Sequence, residues 1–229
     1  MTLKPDSLYY DKEFEPNLTK LPGWQEADQP TRSRIVNGAK EYIKRQDQIE
    51  TEWIGKNKFN RPALAGCRAF LLLLQEAPEF LETIPSKLWQ RWAPIIVAFP
   101  CGNQHDDIYL DLIKLTYSKA QSEAVETLLL LIDKDNQQHE YISVIGRFEK
   151  CRDKHFKSII LEKAKEKSLK PKCMGQLVEE LLEHKSHEAR EYLQLLVSFP
   201  LPLREDERER VVIASKVLFN YATPSIPFC

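Results

Sequence analysis

The sequence predicts an all-α protein, specifically a right-handed α-solenoid of HEAT- or armadillo-like helical repeats. Three observations support this fold class. Apolar residues recur every three or four positions along most of the chain, which is the spacing of a helix that buries one face. The 14 prolines lie mostly between these stretches, and the 7 glycines are too few for a sheet joined by many tight turns. Similar apolar segments also return after about fifty residues, as expected of a helical repeat.

The first part of the chain, residues 1–29, shows no sustained period and is predicted to be an irregular arm packed on the first helices. From Pro30 onward the pattern becomes helical. Asn60 and Pro62 form a helix start signal, because asparagine caps free backbone N–H groups and proline fits the first turn. The almost wholly apolar stretch 63–75 is therefore predicted to be a central, buried helix.

Further helices with short linkers fill the rest of the chain. They follow Pro78, which ends the central helix. Short linkers are typical of helices that pack as neighbours, so residues 30–229 are predicted to form a single helical-repeat domain. The predicted helices are 86–99, 104–118, 122–134, 139–151, 153–167, 171–185, 187–199 and 204–221.

Similar segments that recur along the sequence favour a stack of helices over a closed helical bundle. The segment 95–100, IIVAFP, resembles 195–200, LLVSFP, and VIGRF at 144–148 lies between them, so that a phenylalanine recurs at 99, 148 and 199. The period is near fifty residues, about three helices per unit, as in HEAT and armadillo arrays. The segment 223–229 is apolar, which predicts either a longer chain or an end that packs on a partner.

Composition excludes several classes of protein. The formal net charge is -1, so the chain lacks the overall basic excess of a typical nucleic-acid binder. No apolar run approaches the ~20 residues of a membrane span, and the first residues do not form a signal peptide. The 5 widely spaced cysteines are typical of reduced thiols, which predicts a cytoplasmic protein.

The sequence contains one enzyme-like string, His105-Asp106-Asp107. A metal-dependent hydrolase of this kind needs a metal-binding histidine upstream, and none precedes His105; acids in the first turn of a helix are the simpler interpretation. Phosphate-binding loops and nucleophile elbows are absent. A zinc site would have to combine the distant residues Cys151, His155, Cys173, His184 and His187, whose spacing does not fit a finger.

The densest positive cluster lies between residues 150 and 172. Clustered basic residues are typical of surfaces that bind nucleic acid, so a nucleic-acid-binding scaffold is an alternative function. The simpler interpretation is a solvent-exposed helix face. The candidate contact residues are Lys154, Lys157, Lys163, Lys165 and Lys167.

One stretch resembles a known family. Its elements are Pro22-Gly23-Trp24, Thr31-Arg32, the segment 59–66 (FNRPALAG) and Trp92-Ala93-Pro94-Ile95-Ile96. Over residues 20–100 the chain is similar to the helical-repeat region of bacterial STAND-type (NACHT-like) NTPases, some of which act in antiviral defence. The resemblance implies a sensor or scaffold segment whose NTPase and effector lie elsewhere in a longer chain, and it transfers no functional residue.

The expected function is therefore that of a non-catalytic scaffold or sensor module. We expect it to bind a protein partner or a neighbouring domain of a longer chain, without cofactor or metal. The sequence leaves the partner and the oligomeric state open.

Overall fold

The structure, a computed structural model, is all-helical over the residues it describes, which are 15–46, 50–56, 60–100, 106–198 and 204–222. This confirms the predicted all-α class. The described residues contain no β-strand. Their α-helices are α1 (Pro22–Gln25), α2 (Gln29–Arg45), α3 (Arg61–Glu76), α4 (Pro78–Glu82), α5 (Ser86–Ala98), α6 (Asp107–Lys119), α7 (Gln121–Gln138), α8 (Lys154–Lys165), α9 (Pro171–Glu183), α10 (His187–Val197) and α11 (Glu205–Ala222).

Short polar side chains fix where several of these helices begin. The predicted start at Asn60 is confirmed, because its side chain accepts a hydrogen bond from the Ala63 N–H at 3.0 Å. Asp28 caps α2 in the same way, and Asp153 caps α8 by accepting from the Phe156 N–H at 2.7 Å. Each cap satisfies a backbone donor that the helix itself leaves unpaired.

The chain divides into two compact units. Unit 1 contains residues 1–131 and 146–151, and unit 2 contains 132–145 and 152–229. Helices that are neighbours in sequence pack together inside each unit: α2 on α3 and α5 on α6 in unit 1, and α8 on α9 and α10 on α11 in unit 2. The assignment of residues 30–229 to a single domain stays a prediction.

Unit 1 is organised around α3, the predicted central helix. Phe70 packs against the rings of Trp89 and Trp92, with ring centroids 5.0 and 5.7 Å apart. The Trp92 indole N–H donates to the Ile43 carbonyl at 3.0 Å, so this fully buried ring also satisfies the last turn of α2. Large aromatic side chains contribute much of the buried apolar area of such a core.

Unit 2 buries one face of α8 and one face of α9. Arg210 on α11 links the helices of this unit through hydrogen bonds. Its guanidinium donates to the Leu169 carbonyl at 2.7 Å and to the Ala164 carbonyl at 2.9 Å. These carbonyls lie near the end of α8 and in the turn that follows, where helix geometry leaves acceptors unpaired. Arg210 therefore anchors α11 to the end of α8.

The predicted helix at 139–151 is wrong. The described backbone there is irregular apart from a 3-10 helix, Ile145–Phe148. Side chains replace the helical hydrogen bonds: Asp135 accepts from the Ser143 N–H at 2.7 Å, and Gln176 accepts from the Ile142 N–H at 2.8 Å. Polar side chains that bond to backbone groups compete with helix formation in this way.

The predicted arm, residues 1–29, is described only from residue 15. It contains a 3-10 helix, Leu18–Lys20, and α1, and it buries Leu18 and Trp24. Thr19 also donates a hydrogen bond to Gln75 of α3, at 3.3 Å. The described part of the arm is therefore packed on a helix and is less irregular than its sequence predicts.

Equivalent positions in the recurring segments have different structural surroundings. Ile95 is fully buried at the end of α5, whereas its counterpart Leu195 on α10 is 72% exposed. Phe148 lies in a 3-10 helix, and Phe199 falls outside the described residues. The period of about fifty residues stays a prediction.

Candidate anion-binding groove

The structure separates the five predicted contact lysines into three groups. Lys154, Lys157 and Lys165 line one cavity. Lys163 is buried on a different face of the same helix, and Lys167 is exposed beyond the end of α8 without lining the cavity. Nucleic-acid contact by these residues stays a prediction, but the structure shows which of them share a surface.

The cavity, of about 410 Å³, runs along α8 and is called the α8 groove below. Residues three and four positions apart lie on the same face of a helix, and the α8 lining follows that spacing. A second group, from the turn before α10 and its first residues, completes the lining. The α8 lining residues are Lys154, Lys157, Ser158, Leu161, Glu162 and Lys165, and the second group is Lys185, Ser186 and Glu188.

A structured turn holds the second group in place. Lys185 has a left-handed backbone, with φ 58°, and its N–H donates to the Leu182 carbonyl at 2.9 Å, while the Ser186 N–H donates to the Leu181 carbonyl at 2.9 Å. This pair of bonds is the Schellman arrangement that ends many helices. Ser186 then caps α10 by accepting from the Ala189 N–H. Consecutive hydrogen bonds thus fix the backbone of Lys185.

Lys157 joins α8 to this turn. Its ammonium donates to the carbonyl of His184 at 2.7 Å, at the C-terminal end of α9. A cation is favoured at that position, because the carbonyls at the end of a helix carry partial negative charge. Lys157 therefore lines the groove while its ammonium is held by a backbone carbonyl of the protein itself.

The groove carries more positive than negative charge. Four lysines face two glutamates in its lining. Glu162 is paired with Lys165 at 2.7 Å, and the Glu188 carboxylate accepts from the Ser186 hydroxyl at 3.2 Å. Hydrogen bonds from the Glu188 backbone N–H and from Ser186, with smaller contributions from nearby cations, lower the pKa of Glu188. Both carboxylates are thus engaged within the protein.

Lys154 and Lys185 are the cations left to bind a ligand. Both are exposed, and their ammonium groups form no hydrogen bond or ion pair with other residues that the structure describes. Their contact with an anion therefore requires no internal bond to break. The arrangement is suited to binding negative charge. The helical spacing of the lysines is the sequence signal that could have located the α8 side of the groove.

Lys163 has a structural role. Its side chain is 6% exposed and forms ion pairs with Asp133 at 2.6 Å and Glu166 at 2.8 Å. Burial by itself lowers the pKa of the ammonium, but the hydrogen bonds with Asp133 and Glu166 outweigh it and raise the pKa. Because the folded-state pKa is raised, this contribution to stability is complete below the ordinary lysine pKa of 10.5 and is lost as the pH rises through the folded value.

We expect Lys163→Met to lower the free energy of unfolding by about 2 kcal/mol at neutral pH, because two charge-assisted hydrogen bonds are lost. Lys167→Met, at an exposed position, should leave it within about 0.5 kcal/mol. Urea denaturation followed by circular dichroism measures both values. Equal stability of the two variants would show that the ion pairs of Lys163 contribute nothing.

Other cations of the 150–172 segment are paired with carboxylates. The Lys150 ammonium lies 2.7 Å from Asp111, and Lys172 pairs with Glu140. Arg152 is 11% exposed and pairs with Glu180. Much of the positive charge that is conspicuous in the sequence is therefore neutralised within each unit.

The enzyme-like string is divided by the edge of the described structure. His105 lies outside the described residues, Asp106 caps α6 by accepting from the Ile108 N–H at 3.0 Å, and Asp107 pairs with Lys150 at 3.0 Å. The helix begins at Asp107 instead of the predicted residue 104. Across the described ranges, no group of three or more His, Cys, Asp or Glu side chains is placed to hold a metal ion.

Cys67, Cys151 and Cys173 are buried, and burial raises the pKa of the Cys173 thiol. None of the helices that the structure describes has both the length and the apolar character required to cross a bilayer. Comparison with protein-family models, with curated proteins and with solved structures finds no match to this chain.

Proposed function

We propose that this chain is a non-catalytic helical-repeat module, of the HEAT or armadillo kind, that binds a protein partner through the α8 groove. The observation that carries the proposal is the pair of exposed lysines, Lys154 and Lys185, in a groove whose two carboxylates are each bonded to a neighbouring residue of the lining. The net charge of the whole chain is -1, so this positive surface is a local feature. A local charged groove selects a complementary partner and speeds its association.

The packing of consecutive helices supports the repeat assignment. Arrays of this kind pair each helix with its sequence neighbours, as α8 with α9 and α10 with α11 do here. The resemblance of residues 20–100 to STAND-type NTPases supports a sensor or scaffold role within a larger signalling or defence protein. In this proposal, unit 2 supplies the recognition surface and chemistry is left to other domains.

Affinity purification with matched charge variants tests the proposal. The groove variant is Lys154→Glu/Lys185→Glu, and the control is Lys167→Glu/Lys216→Glu, which changes the net charge equally at exposed positions outside the groove. All three proteins are used to capture partners from nuclease-treated lysate. We expect a protein that wild type and the control retain and the groove variant loses. If the two variants retain the same proteins, the groove is not the binding surface.

A further inference from the structure

We infer that the ligand of the α8 groove is an acidic segment of a partner protein bound in an extended conformation. The inference rests on the proposed function and specifies the chemistry of the partner. Three features of the groove support it: its length, the mixture of charges along it, and the kind of side chain between the charges.

The lining of the groove is longer than a single small anion. Lys154 and Lys165 are eleven residues apart on α8, which corresponds to about 16 Å along the helix axis. A compact phosphate or carboxylate cannot contact both ends. An extended peptide advances about 3.3 Å per residue, so about five residues would span this distance.

The groove lining contains charges of both signs. Glu162 is paired with Lys165 on α8, and Glu188, in the second group of lining residues, interacts electrostatically with Lys154. The phosphodiester groups of a nucleic-acid backbone carry negative charge and have no hydrogen to donate to either glutamate. A peptide, an all-glutamate one included, carries a backbone N–H group at each residue, and these groups can donate to carboxylate oxygens that already have one partner but keep free lone pairs. The mixed lining therefore favours a peptide over a nucleic acid.

The side chains between the charges support the same choice. Leu161 is the large apolar residue of the lining, and the lining includes no aromatic ring. Single-stranded nucleic acids are usually held by aromatic rings on which the bases stack. Leu161 is 6% exposed, so only its edge is available to a side chain of the peptide, and Lys154 and Lys185 provide the contacts for the peptide carboxylates.

Fluorescence anisotropy with labelled decaglutamate tests this inference. We expect decaglutamate to bind the wild-type chain, with affinity that falls as salt is added, and decaglutamine not to bind. Lys154→Glu/Lys185→Glu should weaken binding at least about tenfold, because two attractive charge contacts are replaced by two repulsive ones. The control Lys167→Glu/Lys216→Glu, with the same net charge, should change the affinity less than about twofold.

The inference is overturned if decaglutamate does not bind, or if the two variants weaken binding equally. It is also overturned if an oligothymidylate of similar length binds more tightly and loses affinity in the groove variant, which would identify nucleic acid as the occupant. Complete competition by inorganic phosphate at low concentration would identify a small anion instead. If decaglutamate does not bind but capture of the partner protein from lysate still requires Lys154 and Lys185, the proposed function stands. Only the inference of an acidic peptide then fails.

Discussion

Gly66→Ala should lower the free energy of unfolding by about 3 kcal/mol, because α3 has no space for a methyl group at this position. An added Cβ would lie 1.9 Å from Cη2 and 2.0 Å from Cζ3 of Trp92. The indole cannot easily move, since it is fully buried, packs against Phe70 and donates its N–H to the Ile43 carbonyl. The methyl group would therefore displace α5 from α3 or break this hydrogen bond.

Gly38→Ala is the matched control, and the opposite sign is expected. Gly38 is exposed within α2, and an added Cβ would meet nothing within 4 Å. Alanine restricts the unfolded chain and favours helix, so stability should rise by about 0.5–1 kcal/mol. Urea denaturation of both variants, with the slopes checked for two-state behaviour, gives the comparison. Two alanines with the same effect would contradict the close packing of α3 against Trp92.

Arg152→Ala should cost about 3 kcal/mol, because it leaves a largely buried carboxylate with only the His184 ring as its side-chain partner. The Arg152 guanidinium lies 2.5 Å from Glu180, whose side chain is 19% exposed, and stacks 5.0 Å from the centre of the Phe156 ring. It also donates to the Ile145 carbonyl at 3.3 Å. Removing the side chain would thus affect α8, α9 and the 132–145 segment of unit 2 together.

The double variant Arg152→Met/Glu180→Leu separates the charge from the packing. Replacing both partners of a buried ion pair by apolar side chains of similar volume is often neutral or stabilising. We expect the double variant to recover most of the stability lost by Arg152→Ala, as measured by thermal unfolding at several salt concentrations. A double variant as unstable as the single one would show that the ion pair is not the main contribution of Arg152.

The parts of the fold that the sequence predicts are those determined by local patterns. Asn60 and Pro62 mark the start of α3 because capping depends on residues next to one another. Pro78 is the counterexample: it ends α3 and also begins α4, a short helix that the sequence did not predict. The irregular 139–151 segment depends on Gln176, more than thirty residues away in α9, so no local pattern could reveal it.

The same distinction applies to the candidate site. The α8 lysines were found from composition, and helical spacing could also have separated Lys163 from them, since it lies three residues after the buried Ile160 on the apolar face. Lys185 and Ser186 belong to a turn after α9, and the sequence around them does not predict that they lie near α8. Locating the complete groove therefore requires the packing of α8 on α9.

The central claim, that the α8 groove is the binding surface, is tested most directly by lysine footprinting. The chain is acetylated with and without saturating decaglutamate, and the modification of each lysine is measured by mass spectrometry. Binding in the groove predicts that Lys154 and Lys185 are protected while Lys167 and Lys216, which lie outside it, are modified equally in both samples. Protection of Lys167 and Lys216 to the same degree as the groove lysines would contradict the claim.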